Sequence, residues 1–197
     1  MPKATNPGDY STIADILITI EYTALNSFDY RQQVVQLLNA KRTTSADRAF
    51  SFRNQFADAW YDLHNPELMD EPQQMVVSFT TVQQDFPPNL ENLKIQHLVL
   101  YFARKDGSTF EIPVNALYFT EQGSAGAVGG SATSVDGVIS TRRTNAGNWT
   151  AINGKPFGKW ELVLPNTEEM KTRFKNEEIQ DILFVITYSG RSPEWPI

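Results

Sequence analysis

One eleven-residue stretch is written twice in this chain, at residues 13–23 and again at residues 179–189, with six identical positions. The first copy reads Ile13-Ala14-Asp15-Ile16-Leu17-Ile18-Thr19-Ile20-Glu21-Tyr22-Thr23 and the second Ile179-Gln180-Asp181-Ile182-Leu183-Phe184-Val185-Ile186-Thr187-Tyr188-Ser189. Alternation is the strongest local signal a strand can carry, because side chains point to opposite faces with a period of two. In the first copy Ile16, Ile18, Ile20 and Tyr22 make one wholly apolar face, so the stretch is expected to be a half-buried strand. The Asp of each copy is placed to accept hydrogen bonds from free N–H groups where its strand begins. Two buried strands of like composition can converge; alternatively, the copies share an origin, either because the chain contains two related halves or because residues 1–24 are the end of one unit and the rest leads to another. The middle of the chain shows no second repeat, which favours the latter.

Between the copies, strand signals dominate. Residues 76–80 and 93–104 read as strands, the longer with Val99 and Tyr101 on one face and Leu98, Leu100 and Phe102 on the other, which predicts a central strand buried on both sides. Asp106-Gly107 is a hairpin signal leading into residues 109–120, where Pro113 marks an edge or a bulge. Residues 138–142, 159–164 and 182–188 complete the set. Helical spacing appears at Tyr30, Val34, Leu37 and Leu38, behind Asp29, with a polar linker over 40–47 and a short helical turn around 56–61. Asn166 with Glu169 three residues on resembles a capping box for a helix carrying Met170 and Phe174. The expected fold is mainly β: a two-sheet antiparallel sandwich of jelly-roll type, with about eight strands and two or three short connecting helices. Residues 1–197 form a single domain in this reading, and the Gly/Ala/Ser-rich residues 121–136 form a flexible loop within it.

Several chemistries lack their parts. With 17 Lys+Arg against 23 Asp+Glu the net charge is −6, which disfavours nucleic acid as a partner. Cysteine is absent, and His64 and His97 have no second His at metal-ligand spacing; His97 is expected in the core. No Gly-x-Ser-x-Gly elbow occurs, and the Glu168/Glu169 and Glu177/Glu178 pairs read as solvated faces. The Gly-rich run lacks the basic residue and following helix of a phosphate loop. No enzyme and no cofactor are therefore expected. A structural Ca²⁺ held by loop oxygens is compatible with the sequence, but no site can be assigned. No run reaches the length of a membrane span, and the polar start is not a signal peptide, so synthesis in the cytoplasm without a leader is expected. Two tryptophans are candidates for stacking on a ligand: Trp149, among Asn145, Gly147, Asn148 and Thr150, and Trp195 near the end.

The order of these motifs resembles a known family. Trp160-Glu161-Leu162-Val163-Leu164-Pro165, an acidic connector, Ile179-Gln180-Asp181-Ile182-Leu183 and Tyr188-Ser189-Gly190-Arg191 resemble the C-terminal region of the A subunits of Tc (toxin complex) insecticidal toxins. The first copy, followed by Phe50-Ser51-Phe52-Arg53-Asn54-Gln55-Phe56, Ala59-Trp60-Tyr61 and Asn65-Pro66, is similar to the same strand and the segment after it. The first copy lacks the Trp-x-Leu-x-Leu-Pro strand that precedes the second. The resemblance implies a β-sandwich of the region that docks the B subunit, acting by protein–protein docking as a released, virulence-related toxin component. Its partner would be a B-like subunit or other parts of a larger toxin polypeptide. A carbohydrate-binding module, with Trp149 or Trp195 stacking on a glycan, is the alternative.

Overall fold

A computed structural model describes residues 18–23, 27–68 and 74–195. Among these residues are eight strands and four α-helices, in the order α1 (Phe28–Ala40), β1 (Thr43–Ser51), α2 (Phe52–Gln55), α3 (Ala57–His64), β2 (Gln74–Thr81), β3 (Glu91–Arg104), β4 (Pro113–Glu121), β5 (Val128–Thr133), β6 (Val138–Ser140), β7 (Gly158–Pro165), α4 (Glu168–Lys175) and β8 (Ile179–Arg191). The strands form two four-stranded sheets, ordered β1-β8-β3-β6 and β2-β7-β4-β5. First pairs with last, second with seventh, third with sixth and fourth with fifth, all antiparallel. That is one long hairpin folded over so that successive pairs alternate between sheets: a jelly roll, as expected.

The alternation seen in the sequence sets the inner faces. Ile182, Phe184 and Ile186 of β8 and Leu98, Leu100 and Phe102 of β3 are fully buried. They meet Met75, Val77 and Phe79 of β2 and Trp160, Leu162 and Leu164 of β7 in one core. At its centre Phe184 lies 4.7 Å from Trp160 and 5.4 Å from Phe79, both edge-on, and Trp160 stacks on Phe119 at 4.1 Å. Edge-to-face and stacked pairs each add about 0.5–1.5 kcal/mol beyond area burial. The one polar group of the Trp160 ring is satisfied: its indole N–H donates to the Thr81 hydroxyl (2.8 Å), which donates to the Pro156 carbonyl (2.6 Å).

Several expectations are corrected. Residues 18–23 belong to no strand, and Ile18, Ile20 and Tyr22 are 77%, 77% and 84% exposed; the rest of that expected strand lies outside the described residues. Strand β1 begins inside the expected polar linker, because an edge strand with one mostly solvated face tolerates Thr, Ser, Asp and Arg. The outer face of β3 is open to solvent at Tyr101, so this interior strand is buried on one side only. Asp106-Gly107 makes a turn but no hairpin, since β3 and β4 lie in different sheets and residues 105–112 cross between them. Thr167, one residue past Asn166, caps α4 by accepting from the Met170 N–H at 3.2 Å. Pro113 opens β4, where its missing N–H is harmless.

The 121–136 stretch is a strand in part. β5 pairs with β4, and its small residues let backbones approach closely. Gly129 has φ +145°, and a Cβ there would sit 1.8 Å from the Leu117 carbonyl oxygen. A 3-10 turn, Gly147–Ala151, packs against the same strand.

Candidate docking surface

Sandwich strands run from β1 to β8, and what precedes β1 is built differently. Ser27 caps α1, its hydroxyl accepting from the Tyr30 N–H at 3.3 Å, and only Val35 of that helix is buried. Phe28, Tyr30, Leu37 and Leu38 are exposed. With Ile18, Ile20 and Tyr22 they make seven of the fourteen exposed large apolar side chains among the described residues, all within residues 18–38. Scattered exposed apolar residues are ordinary, whereas these are concentrated in one stretch of the sequence.

The C-terminal tail anchors the root of this region. Arg42, whose side chain is buried, donates from Nε to the Ser192 carbonyl (2.7 Å) and from Nη1 to Glu194 (2.6 Å). The Trp195 backbone N–H donates to Asn39 Oδ1 at 3.0 Å. The C-terminal end of α1 is thus tied to the sandwich while its apolar residues stay open.

Of the two tryptophan candidates, Trp149 is 0% exposed in the core, with its indole N–H donated to the Gly130 carbonyl at 2.7 Å. Neither ring face is open, which removes it as a stacking platform; its Asn/Gly/Thr surroundings are the 3-10 turn that buries it. Trp195 is 51% exposed beside α1. The structure does not bring the two together in one site.

The remaining clusters are occupied with structure. Glu168 pairs with Lys171 (2.9 Å) and Glu169 with Arg173 (2.5 Å) along α4. Arg173 also lies over the Phe110 ring at 4.0 Å. A cavity of about 290 Å³ is lined by Arg53, Trp60, His64, Glu177, Ile179 and Gln180. His64 Nδ1 donates to the Trp60 carbonyl at 2.9 Å and its ring packs on Trp60 and Phe174. His97 is half-buried on β3 and outside the core, which corrects its expected place there. Among the described residues no three His, Asp or Glu side chains converge as a metal site would, and no helix is long and apolar enough to cross a membrane.

One charged contact escaped the sequence reading. The Glu111 carboxylate accepts from the Ser134 hydroxyl and from the N–H groups of Asp136 (2.8 Å) and Gly137 (3.3 Å), with Arg104 nearby at 3.9 Å. Burial alone would raise its pKa; these hydrogen bonds and the Arg104 charge outweigh it and hold the carboxyl below its ordinary value. Glu111 thereby latches the turn between β5 and β6. No sequence spacing signals it, because its hydrogen-bond donors lie over twenty residues away.

Fold and surface together define a jelly-roll β-sandwich with an exposed apolar segment ahead of its first strand. Among solved structures it is similar to part of the cryo-EM structure of Yersinia pseudotuberculosis TcaA-TcaB, with TM-score 0.52 and 18% identity over 83% of this chain and 10% of that one. It is also similar to part of Morganella morganii TcdA4, with TM-score 0.50 and 16% identity over 82% of this chain and 8% of that one. The chain therefore spans about a tenth of either neighbour's length. No protein-family model and no curated protein sequence matches it.

Proposed function

We propose that this chain is a non-enzymatic assembly module of a Tc-toxin-like protein that works by docking to a protein partner. The observation that carries this reading is the concentration of exposed apolar side chains over residues 18–38, outside a sandwich whose own core is complete. Such surface is stable in water only at a cost, and covering it is what drives most protein association. The shared fold with parts of TcaA-TcaB and TcdA4 supports the Tc setting, as do the strand motifs. In that setting the partner is a B-like subunit or another part of a larger toxin polypeptide, and the chain acts after release from the bacterium.

The test is co-purification of the full-length chain with a purified Tc B-like subunit and, separately, with a Tc A-type polypeptide. A stable complex with either supports docking. Migration of the chain alone in both mixtures, at micromolar concentration, contradicts it.

A further inference from the structure

Sheet β1-β8-β3-β6 carries an uncharged, mainly apolar band on the side away from the core. In register, Ala49, Val185, Val99 and Ser140 form one row across all four strands. Ser51, Leu183, Tyr101 and Val138 form the next. Both rows face outward, because Leu183 and Val185 alternate with the buried Ile182, Phe184 and Ile186 of β8. Ala49 and Tyr101 are exposed, and Val99, Val138, Leu183 and Val185 are half-buried. The solvated face of an antiparallel sheet is ordinarily polar. A contiguous apolar patch depleted of charge has instead the composition of an interface core.

Helix α1 carries a surface that matches it. Val35 and Asn39, one turn apart, anchor the helix: Val35 is buried, and Asn39 accepts from the Trp195 N–H. Tyr30, Val34, Leu37 and Leu38 recur at i, i+4, i+7 and i+8 and share a side turned away from that anchor. Tyr30, Leu37 and Leu38 are exposed, and Leu38, the nearest of them to Val35 around the helix, is the least so. Residues 32–40 contain no charged side chain. Arg42, just beyond the helix, is locked to Ser192 and Glu194, so rolling the apolar side of α1 onto its own sheet would break both anchors. A 13-residue helix is about 20 Å long, enough to cross four strands spaced about 4.8 Å apart. We propose that α1 of a second copy of this chain packs across these two rows, each copy laying its helix on the other's sheet. A two-fold axis closes such an exchange. Four apolar side chains of the helix and six of the sheet are then covered on each copy, and with their polar neighbours they approach the roughly 20–30 residues a side of a stable interface. This goes beyond docking to a Tc-type partner: it assigns α1 to a second copy and leaves Ile18, Ile20 and Tyr22 to that partner.

The test is light scattering on the full-length chain at high micromolar concentration, where wild type should show twice the 22.3 kDa of one chain. Leu37→Glu on the helix and Tyr101→Glu on the sheet, each melting as wild type does, should each weaken self-association at least tenfold. Mixed in equal amounts the two variants should associate again, because one keeps an intact sheet and the other an intact helix. A wild-type chain that stays monomeric overturns the inference. So does a mixture that associates no better than its parts, or association that either variant keeps alone, which would mean that like surfaces pair. Should Tyr101→Glu unfold, cysteine decides, since the chain has none of its own. Chains bearing Leu37→Cys and Tyr101→Cys, mixed with a short bismaleimide, should cross-link to each other more than either does to itself; equal or greater self-linking overturns the inference. A monomeric chain that still co-purifies with a Tc B-like subunit would leave docking standing and overturn the second copy alone.

Discussion

Residues 18–23 and 184–189 teach what composition cannot decide. Both present the alternating apolar side chains of a buried strand, yet Ile20 is 77% exposed and its counterpart Ile186 is 0%. Propensity makes a segment able to be a strand, whereas burial requires neighbours on both flanks and a second sheet to cover it. β8 has these because the jelly-roll path brings β1, β3 and the β2–β7 sheet around it. Residues 18–23 have the same alternation and belong to neither sheet.

Mirrored substitutions break the comparison most sharply. Phe184→Ala removes a ring packed against Phe79 and Trp160 and is expected to cost about 3–5 kcal/mol. Ile18→Ala, at an exposed site, should stay within about 0.5 kcal/mol of wild type. Urea denaturation with unchanged slope checks both. Next in size, Thr81→Val leaves the Trp160 indole N–H and the Pro156 carbonyl without their buried partner, an expected loss of about 1–3 kcal/mol in the same assay. Asp181→Ala should cost about 1–2 kcal/mol by freeing the Arg53 N–H and the Ser51 hydroxyl.

The smallest effect is the pH response of the latch. Because Glu111 has a depressed pKa in the folded chain, the stability it contributes is present above the ordinary carboxylate value and is lost as pH falls through the folded one. Glu111→Gln should flatten that part of the acid limb of a melting-temperature profile. It should also speed amide exchange at Asp136 and Gly137, whose N–H groups the carboxylate accepts at neutral pH. An acid limb identical to wild type would show that the latch is not linked to folding.

Much of the sandwich was legible because its strands are long and alternating. β3, β7 and β8 announce themselves, and so does α1 through its 3.6-residue spacing. What was not legible depends on distant partners. The Gly-rich β5 looks like a loop until the Gly147–Ala151 turn is seen packed on it, and Trp149 looks like surface for the same reason. β1 is disguised by the polar side chains of an edge strand. Sheet order, with β3 and β4 on opposite sides of the core, is a property of the whole path and no local signal reports it. Of the candidate surface, the strand grammar of the first copy was visible; the exposure of Ile18, Ile20 and Tyr22 was not, since sequence shows what a segment can bury and not whether anything covers it.

The sharpest measurement takes the pair Ile20→Asp and Ile186→Asp through both a thermal melt and capture of a Tc-type protein partner. A self-sufficient sandwich with an external docking segment predicts that Ile186→Asp abolishes the cooperative melt. It predicts that Ile20→Asp melts like wild type and captures at least about tenfold less partner, the equivalent of about 1.4 kcal/mol. An Ile20→Asp chain that melts early, or that captures partner as wild type does, would contradict the account.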